Sequence, residues 1–318
     1  MMRFSHTIVA LSAILCGSPV WAQTCSFSMS DMNFGFVNLA GGASANSTGT
    51  LNVTCNNNSG SGLSVRICAN INAGSGGQVS GVRQMKLGST STALNYQLYQ
   101  DALRLTPWGS VDQTAIGSPL VIDMLLPALI NSATYTVYGR ISASQASAAK
   151  GLYTSSFAGM ETRFNYAAYT LGAPSCTGMT QGLTRVPFTV TAAVEPTCIV
   201  SAQSINFGSH GVLRTAVDAT GSISLTCTAN LPYTVSLNGG LSNSPPAARQ
   251  MTRSGASVTY GLYRDTNRAN VWGSAAGQIA SGTGNGTAQT LTVYGRVPAQ
   301  NTPAPGLYSD TVVVTVNY

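Results

Sequence analysis

Charge is scarce in this chain of 318 residues, which holds 9 Asp+Glu, 15 Lys+Arg and 2 His, so that only 8% of positions are charged. So few acids and imidazoles leave little material for general acid–base catalysis or a transition-metal site. The formal +6 is scattered singly along the chain, without the basic stripe of a nucleic-acid reader. There is no CxxC spacing and no GxSxG elbow, so the usual zinc and hydrolase signatures are missing. Nor does any apolar run reach the roughly 20 residues that a membrane-spanning helix needs. No cofactor, metal or nucleic acid is expected, and an enzyme is not.

What is present is 44% hydrophobic residues with 34 Gly and 13 Pro, enough to build two cores. Residues 1–22 carry Arg3, an apolar stretch from Ile8 to Cys16 and Val20-Trp21-Ala22 before Gln23, the layout of a cleaved secretory signal peptide. Leu15 is bulkier than the residue a lipoprotein signal places before its cysteine, so lipidation of Cys16 is the minor reading. The mature chain then keeps Cys25, Cys55, Cys68, Cys176, Cys198 and Cys227, an even set that suggests disulfides in an oxidising compartment.

The remainder is one pattern written twice. Asn33-Phe34-Gly35 follows Cys25 as Asn206-Phe207-Gly208 follows Cys198. In the same order, Cys55 matches Cys227, Arg83-Gln84-Met85 matches Arg249-Gln250-Met251, and Tyr96-x-Leu98-Tyr99-x-Asp101 matches Tyr260-x-Leu262-Tyr263-x-Asp265. Trp108-Gly109, Val137-Tyr138-Gly139-Arg140 and Gly151-Leu152-Tyr153 recur as Trp272-Gly273, Val293-Tyr294-Gly295-Arg296 and Gly306-Leu307-Tyr308. An offset of about 170 residues is too long for a solenoid, so each copy is a whole domain. Short Val/Ile/Thr/Tyr runs alternate with Gly/Asn/Ser clusters, which predicts antiparallel β-sandwiches. The alternative of disordered Ser/Gly-rich segments is opposed by the alternating runs between them.

Equivalent positions pair Cys25 with Cys55 and Cys198 with Cys227, each closure worth about 3–4 kcal/mol in the chain-entropy model. Cys68 and Cys176 have no counterparts in the second copy and are joined by elimination. His210 reads as an exposed loop residue, and the paired Tyr and Trp as duplicated core.

The ordered motifs resemble the spore coat U domain family, over nearly the whole mature chain. That resemblance implies an all-β fold of two tandem immunoglobulin-like sandwiches and membership of archaic, Csu-type chaperone-usher pili, whose subunits lack a last strand and receive one from another chain. A two-domain member resembles the tip adhesin, secreted through the periplasm to the pilus tip at the cell surface. The partners implied are a periplasmic chaperone, the outer-membrane usher, an adjacent pilin subunit and an abiotic or host surface.

Under this resemblance residues 23–170 form the adhesive domain, 171–194 a linker, and 195–318 a pilin-type domain. In the linker, Val186, Phe188, Val190, Ala192 and Val194 look like a family donor strand that fills the first domain in cis, worth at most about 7–15 kcal/mol of burial; an ordinary connector is the alternative. The second copy closes with Val312, Val314, Val316 and Tyr318, expected as a docking strand for chaperone or subunit. Cleavage after Ala22 leaves no extension to donate, which places the subunit at the distal end of a fibre.

One segment of the first copy departs from its sister. The region between Trp-Gly and Tyr-Gly-Arg is eight residues longer and apolar, and it is expected as an exposed finger loop binding surfaces through Leu120, Val121, Ile122, Met124, Leu125, Leu126, Leu129 and Ile130. The same stretch reads alternatively as strand and core. A lectin-like adhesin and a structural coat or fibre subunit are the competing functions.

Overall fold

The computed structural model describes residues 23–58, 62–127 and 130–318; the signal segment 1–22 and Leu129 of the expected finger lie outside the described residues. The chain is almost entirely β, in two consecutive sandwiches. The first comprises β1 (Gln23–Met29), β2 (Met32–Val37), β3 (Ala45–Asn57), β4 (Leu63–Ile71), β5 (Gln78–Val79), β6 (Val82–Leu87), β7 (Ala93–Tyr99), β8 (Leu120–Leu126), β9 (Ile130–Ile141), β10 (Gly151–Phe157), β11 (Thr162–Tyr169) and β12 (Phe188–Val194). The second comprises β13 (Cys198–Ala202), β14 (Val217–Cys227), β15 (Pro232–Leu237), β16 (Arg249–Arg253), β17 (Ala256–Tyr263), β18 (Ala280–Thr283), β19 (Ala288–Val297) and β20 (Val314–Asn317).

In the first sandwich the large sheet runs β1-β3-β9-β7-β6-β10-β12-β2, with β5 on β6, and faces the sheet β11-β4-β8. In the second the orders are β13-β14-β19-β17-β16 and β18-β15-β20. Alternation along each strand makes this possible: in β3, Leu51, Val53 and Cys55 point inward while Asn52 and Thr54 do not, the period-two pattern of a half-buried strand. Each sandwich has its own core cluster, one including Leu51, Trp108 and Phe164, the other Leu225, Val235 and Trp272.

The repeated motifs occupy repeated places. Trp108 Nε1 donates to Ala69 O at 2.7 Å and Trp272 Nε1 to Val235 O at 2.9 Å. Arg83 and Arg249 are fully buried, and both donate to backbone carbonyls: Arg83 to Asn72 O and Ile71 O, Arg249 to Asn238 O, Pro246 O and Trp272 O. Burial lowers the Arg83 pKa to about 10, which still leaves the guanidinium charged at neutral pH. Disulfides join Cys25–Cys55, Cys198–Cys227 and Cys68–Cys176; the third ties β4 to the segment that leads towards β12.

Candidate functional site

The two sandwiches differ at one edge. In the first, β12 lies antiparallel to β10, from Gly151↔Val194 to Phe157↔Phe188, and parallel to β2, with Val190↔Met32 and Val194↔Val37. Its alternate residues Phe188, Val190, Ala192 and Val194 are 0–4% exposed and the preceding Val186 is 2% exposed; Phe188 stacks on Phe157 at 4.4 Å between centroids. The segment before it continues along β11, where Thr184 pairs with Phe164 and Tyr166 N donates to Gln181 O at 3.2 Å.

In the second sandwich the same two borders exist without, among the described residues, a strand between them. Residues 306–312 correspond to β10: Ser309 bridges Thr252 as Thr154 pairs with Lys86. Tyr308 OH donates to Ala304 O at 2.7 Å as Tyr153 OH donates to Ala149 O at 2.9 Å. Residues 205–208 correspond to β2: Gly208 N donates to Asn206 Oδ1 at 2.8 Å as Gly35 N donates to Asn33 Oδ1 at 2.7 Å. Gly295 lies under Phe207 as Gly139 lies under Phe34, an added Cβ meeting Cζ of either ring at 2.8 Å. Between these borders are two adjoining cavities of about 510 and 540 Å³, both lined by Ile205, Phe207, Met251 and Tyr308.

The open edge uncovers what its counterpart hides. Met32, Phe34, Met85 and Tyr153 are buried, whereas Ile205, Phe207, Met251 and Tyr308 are half-buried. The groove is therefore a largely apolar slot flanked by two backbone edges that, among the described residues, face no partner strand, the geometry that accepts an added strand. Among the polar side chains that line it, two stand where the first sandwich has a different residue type. His210 stands where the first sandwich has Val37, and its Nε2 lies 2.6 Å from Phe207 O. Asp310 stands where the first has Ser155. Asp310 Oδ2 accepts from Tyr260 OH at 2.6 Å, and Oδ1 accepts from Leu241 N and Thr311 N, each at 2.8 Å. Burial, followed by the adjacent carboxylate of Asp310, pushes the Tyr260 phenol pKa far up. The equivalent Tyr96, buried beside Ser155, rises to about 12.

The C-terminal residues fall unevenly around this groove. Val312 and Val314 line it. Val316 packs against the core from β20, which pairs with β15. Tyr318 lies beyond the strand and is 57% exposed. Residue by residue, the sequence reading had no role for Asp310, Ile205 or Met251; setting the two copies side by side, Ser155 against Asp310, is the signal that finds the first of them.

The expected finger loop requires correction. Leu120–Leu126 is strand β8, paired antiparallel with β4 from Leu63↔Leu126 to Ala69↔Leu120. Its alternation sends Ile122, Met124 and Leu126 into the core at 0–4% exposure, and Leu120 packs partly buried against it. Asp123 faces outward and is held by Arg66, Nη2 to Oδ2 at 2.6 Å and Nε to Oδ1 at 2.8 Å, which sets the register of the apolar residues around it. Of the described residues in the expected set, Val121 (45%), Leu125 (67%) and Ile130 (63%) are the exposed ones, on and beside the outer edge of the three-stranded sheet.

Comparison with known proteins gives a concordant set of likenesses. The family described as Spore Coat Protein U domain matches residues 11–159 and again 184–315. Protein U of Myxococcus xanthus is 33% identical over 129 residues, covering 36% of this chain and 72% of that protein. In fold, the chain is similar to one in the crystal structure of the CsuC–CsuE chaperone–tip adhesion subunit pre-assembly complex from archaic chaperone-usher Csu pili of Acinetobacter baumannii. That likeness has a TM-score of 0.53 and 18% identity, covering 93% of this chain and 100% of the other.

Proposed function

Because the chain belongs to the Spore Coat Protein U domain family, we propose that it is the tip adhesin of an archaic chaperone-usher pilus, acting by binding and assembly rather than by catalysis. The groove between residues 205–208 and 306–312 carries this reading. Among the described residues it lacks the strand that β12 supplies to the first sandwich, and an apolar slot with two open edges is satisfied by strand addition. A periplasmic chaperone fills it first, and an adjacent pilin subunit replaces the chaperone at the outer-membrane usher. The strand of donor type that the chain does contain, β12, is engaged on both edges within its own first sandwich, so it is not handed to a neighbour. One groove to be filled and β12 spent internally suit a terminal subunit of a fibre.

In this reading residues 23–170 form the adhesive domain, 171–194 the connection that contains β12, and 195–318 the domain that joins the pilus. Secretion runs through the periplasm to the cell surface, where the first sandwich attaches to abiotic or host surfaces and supports biofilm formation. Val121, Leu125 and Ile130 supply the apolar contact, and such attachment persists at high salt. The test is attachment to polystyrene by cells carrying Val121→Ser, Leu125→Ser and Ile130→Ser together, with pilus number checked by electron microscopy. Attachment is expected to be lost on intact pili; unchanged attachment excludes this surface. Leu126 is left untouched because it is 0% exposed, and a polar residue there would act on folding instead.

A further inference from the structure

The duplication specifies more than a place for an incoming strand. In the first sandwich the register opposes Val194 to Gly151, Ala192 to Tyr153, Val190 to Ser155 and Phe188 to Phe157. Transferred through the Gly-Leu-Tyr motif, the same four inward positions of an incoming strand face Gly306, Tyr308, Asp310 and Val312. Three of these surroundings are conservative or apolar. The fourth is not: where β12 sets Val190 against a neutral Ser155, both 0% exposed, the second groove presents a carboxylate.

A carboxylate accepts about four hydrogen bonds, and Asp310 receives three among the described residues, from Tyr260, Leu241 and Thr311. While the groove is open, water serves what remains. A strand that brings an aliphatic side chain to this position removes the water and returns nothing, and an ionised acceptor left short in a closed core is costly. A strand that brings a hydroxyl or amide donor completes the set. Resting on the reading of the groove as a strand acceptor, we infer that the strand completing the second sandwich carries a hydrogen-bond donor where β12 carries Val190, and that Asp310 is the residue that selects it. β12 is then a poor occupant of the second groove, so the two grooves of one chain do not compete for one strand.

The isosteric pair Val and Thr isolates the effect. The full chain is titrated with a peptide of residues 186–196 and with the same peptide carrying Val190→Thr, binding being read by fluorescence anisotropy. Hydrogen exchange locates uptake at 306–312, with 151–157 unchanged. The Thr peptide is expected to bind about tenfold more tightly or better, and Asp310→Ser, the residue of the sister position, to bring the two peptides to near parity. Asp310→Asn serves as a second variant should the first not fold. Equal affinities in the unaltered chain, or a preference that survives both substitutions, overturns the role of Asp310 and leaves the groove as an acceptor. Failure of 306–312 to take up either peptide overturns the acceptor reading as well.

Discussion

Asp101 and Asp265 close the Tyr-x-Leu-Tyr-x-Asp motif in each copy, and both cap the turn that follows. Asp101 accepts from Thr106 N at 2.7 Å and Leu105 N at 3.1 Å, Asp265 from Asn270 N at 2.7 Å and Ala269 N at 3.1 Å. These backbone bonds hold both carboxyls below their ordinary pKa of 3.8. A carboxyl with a depressed pKa in the folded state stabilises it fully above the unfolded value and loses that contribution as pH falls through the folded one. Urea midpoints are therefore expected to drop between pH 5 and pH 3, and to drop less in the Asp101→Asn, Asp265→Asn double variant; identical pH dependence would refute the assignment. The Gly of Val-Tyr-Gly-Arg has an equally local cause. A Cβ on Gly139 would press on Met32 and the Phe34 ring, both buried, so Gly139→Ala is expected to cost about 1–3 kcal/mol in equilibrium unfolding.

At the scale of elements, β12 and β8 teach opposite lessons about what a sequence discloses. The run from Val186 to Val194 alternates without interruption, and a strand buried on one face must do so; hence its inward set is legible residue by residue. Residues 181–184, which extend the same edge along β11, have no period and gave no sign of their place. β8 misleads because Leu-Val-Ile-Asp-Met-Leu-Leu is apolar on both faces, and nothing local says which face is covered. The partner that decides it is Arg66, on the neighbouring strand and 57 positions away in sequence. Strand-level predictions follow from the difference. Val190→Asp, placing a charge at a position 0% exposed, is expected to unfold the first sandwich while the second keeps its amide protection, measured by hydrogen exchange. Leu125→Asp, on an exposed face, is expected to shift the urea midpoint little.

The whole molecule is a fold written twice, with β12 seated between β10 and β2 in the first copy and, among the described residues, no strand seated at that place in the second. Which strands, motifs and cysteines repeat is visible in the sequence, because duplication preserves order and spacing. That residues 205–208 and 306–312 flank a slot which no described residue fills as β12 fills the first is visible only when the copies are superposed in space, since neither border differs enough in sequence from its counterpart to announce it. Cys68–Cys176 spans 108 positions, a closure worth about 4–5 kcal/mol in the chain-entropy model. Replacing both cysteines by Ser is expected to lower the thermal midpoint of the first sandwich and leave that of the second in place, as separate calorimetric transitions would report. The same bridge has a consequence for reaction order. It tethers the segment bearing β12 beside its own groove, at an effective concentration in the millimolar range typical of short linkers, so closure of the first sandwich is first-order and indifferent to dilution. On the proposed function, closure of the second waits for another chain and is second-order, so its half-time lengthens with every dilution of that partner.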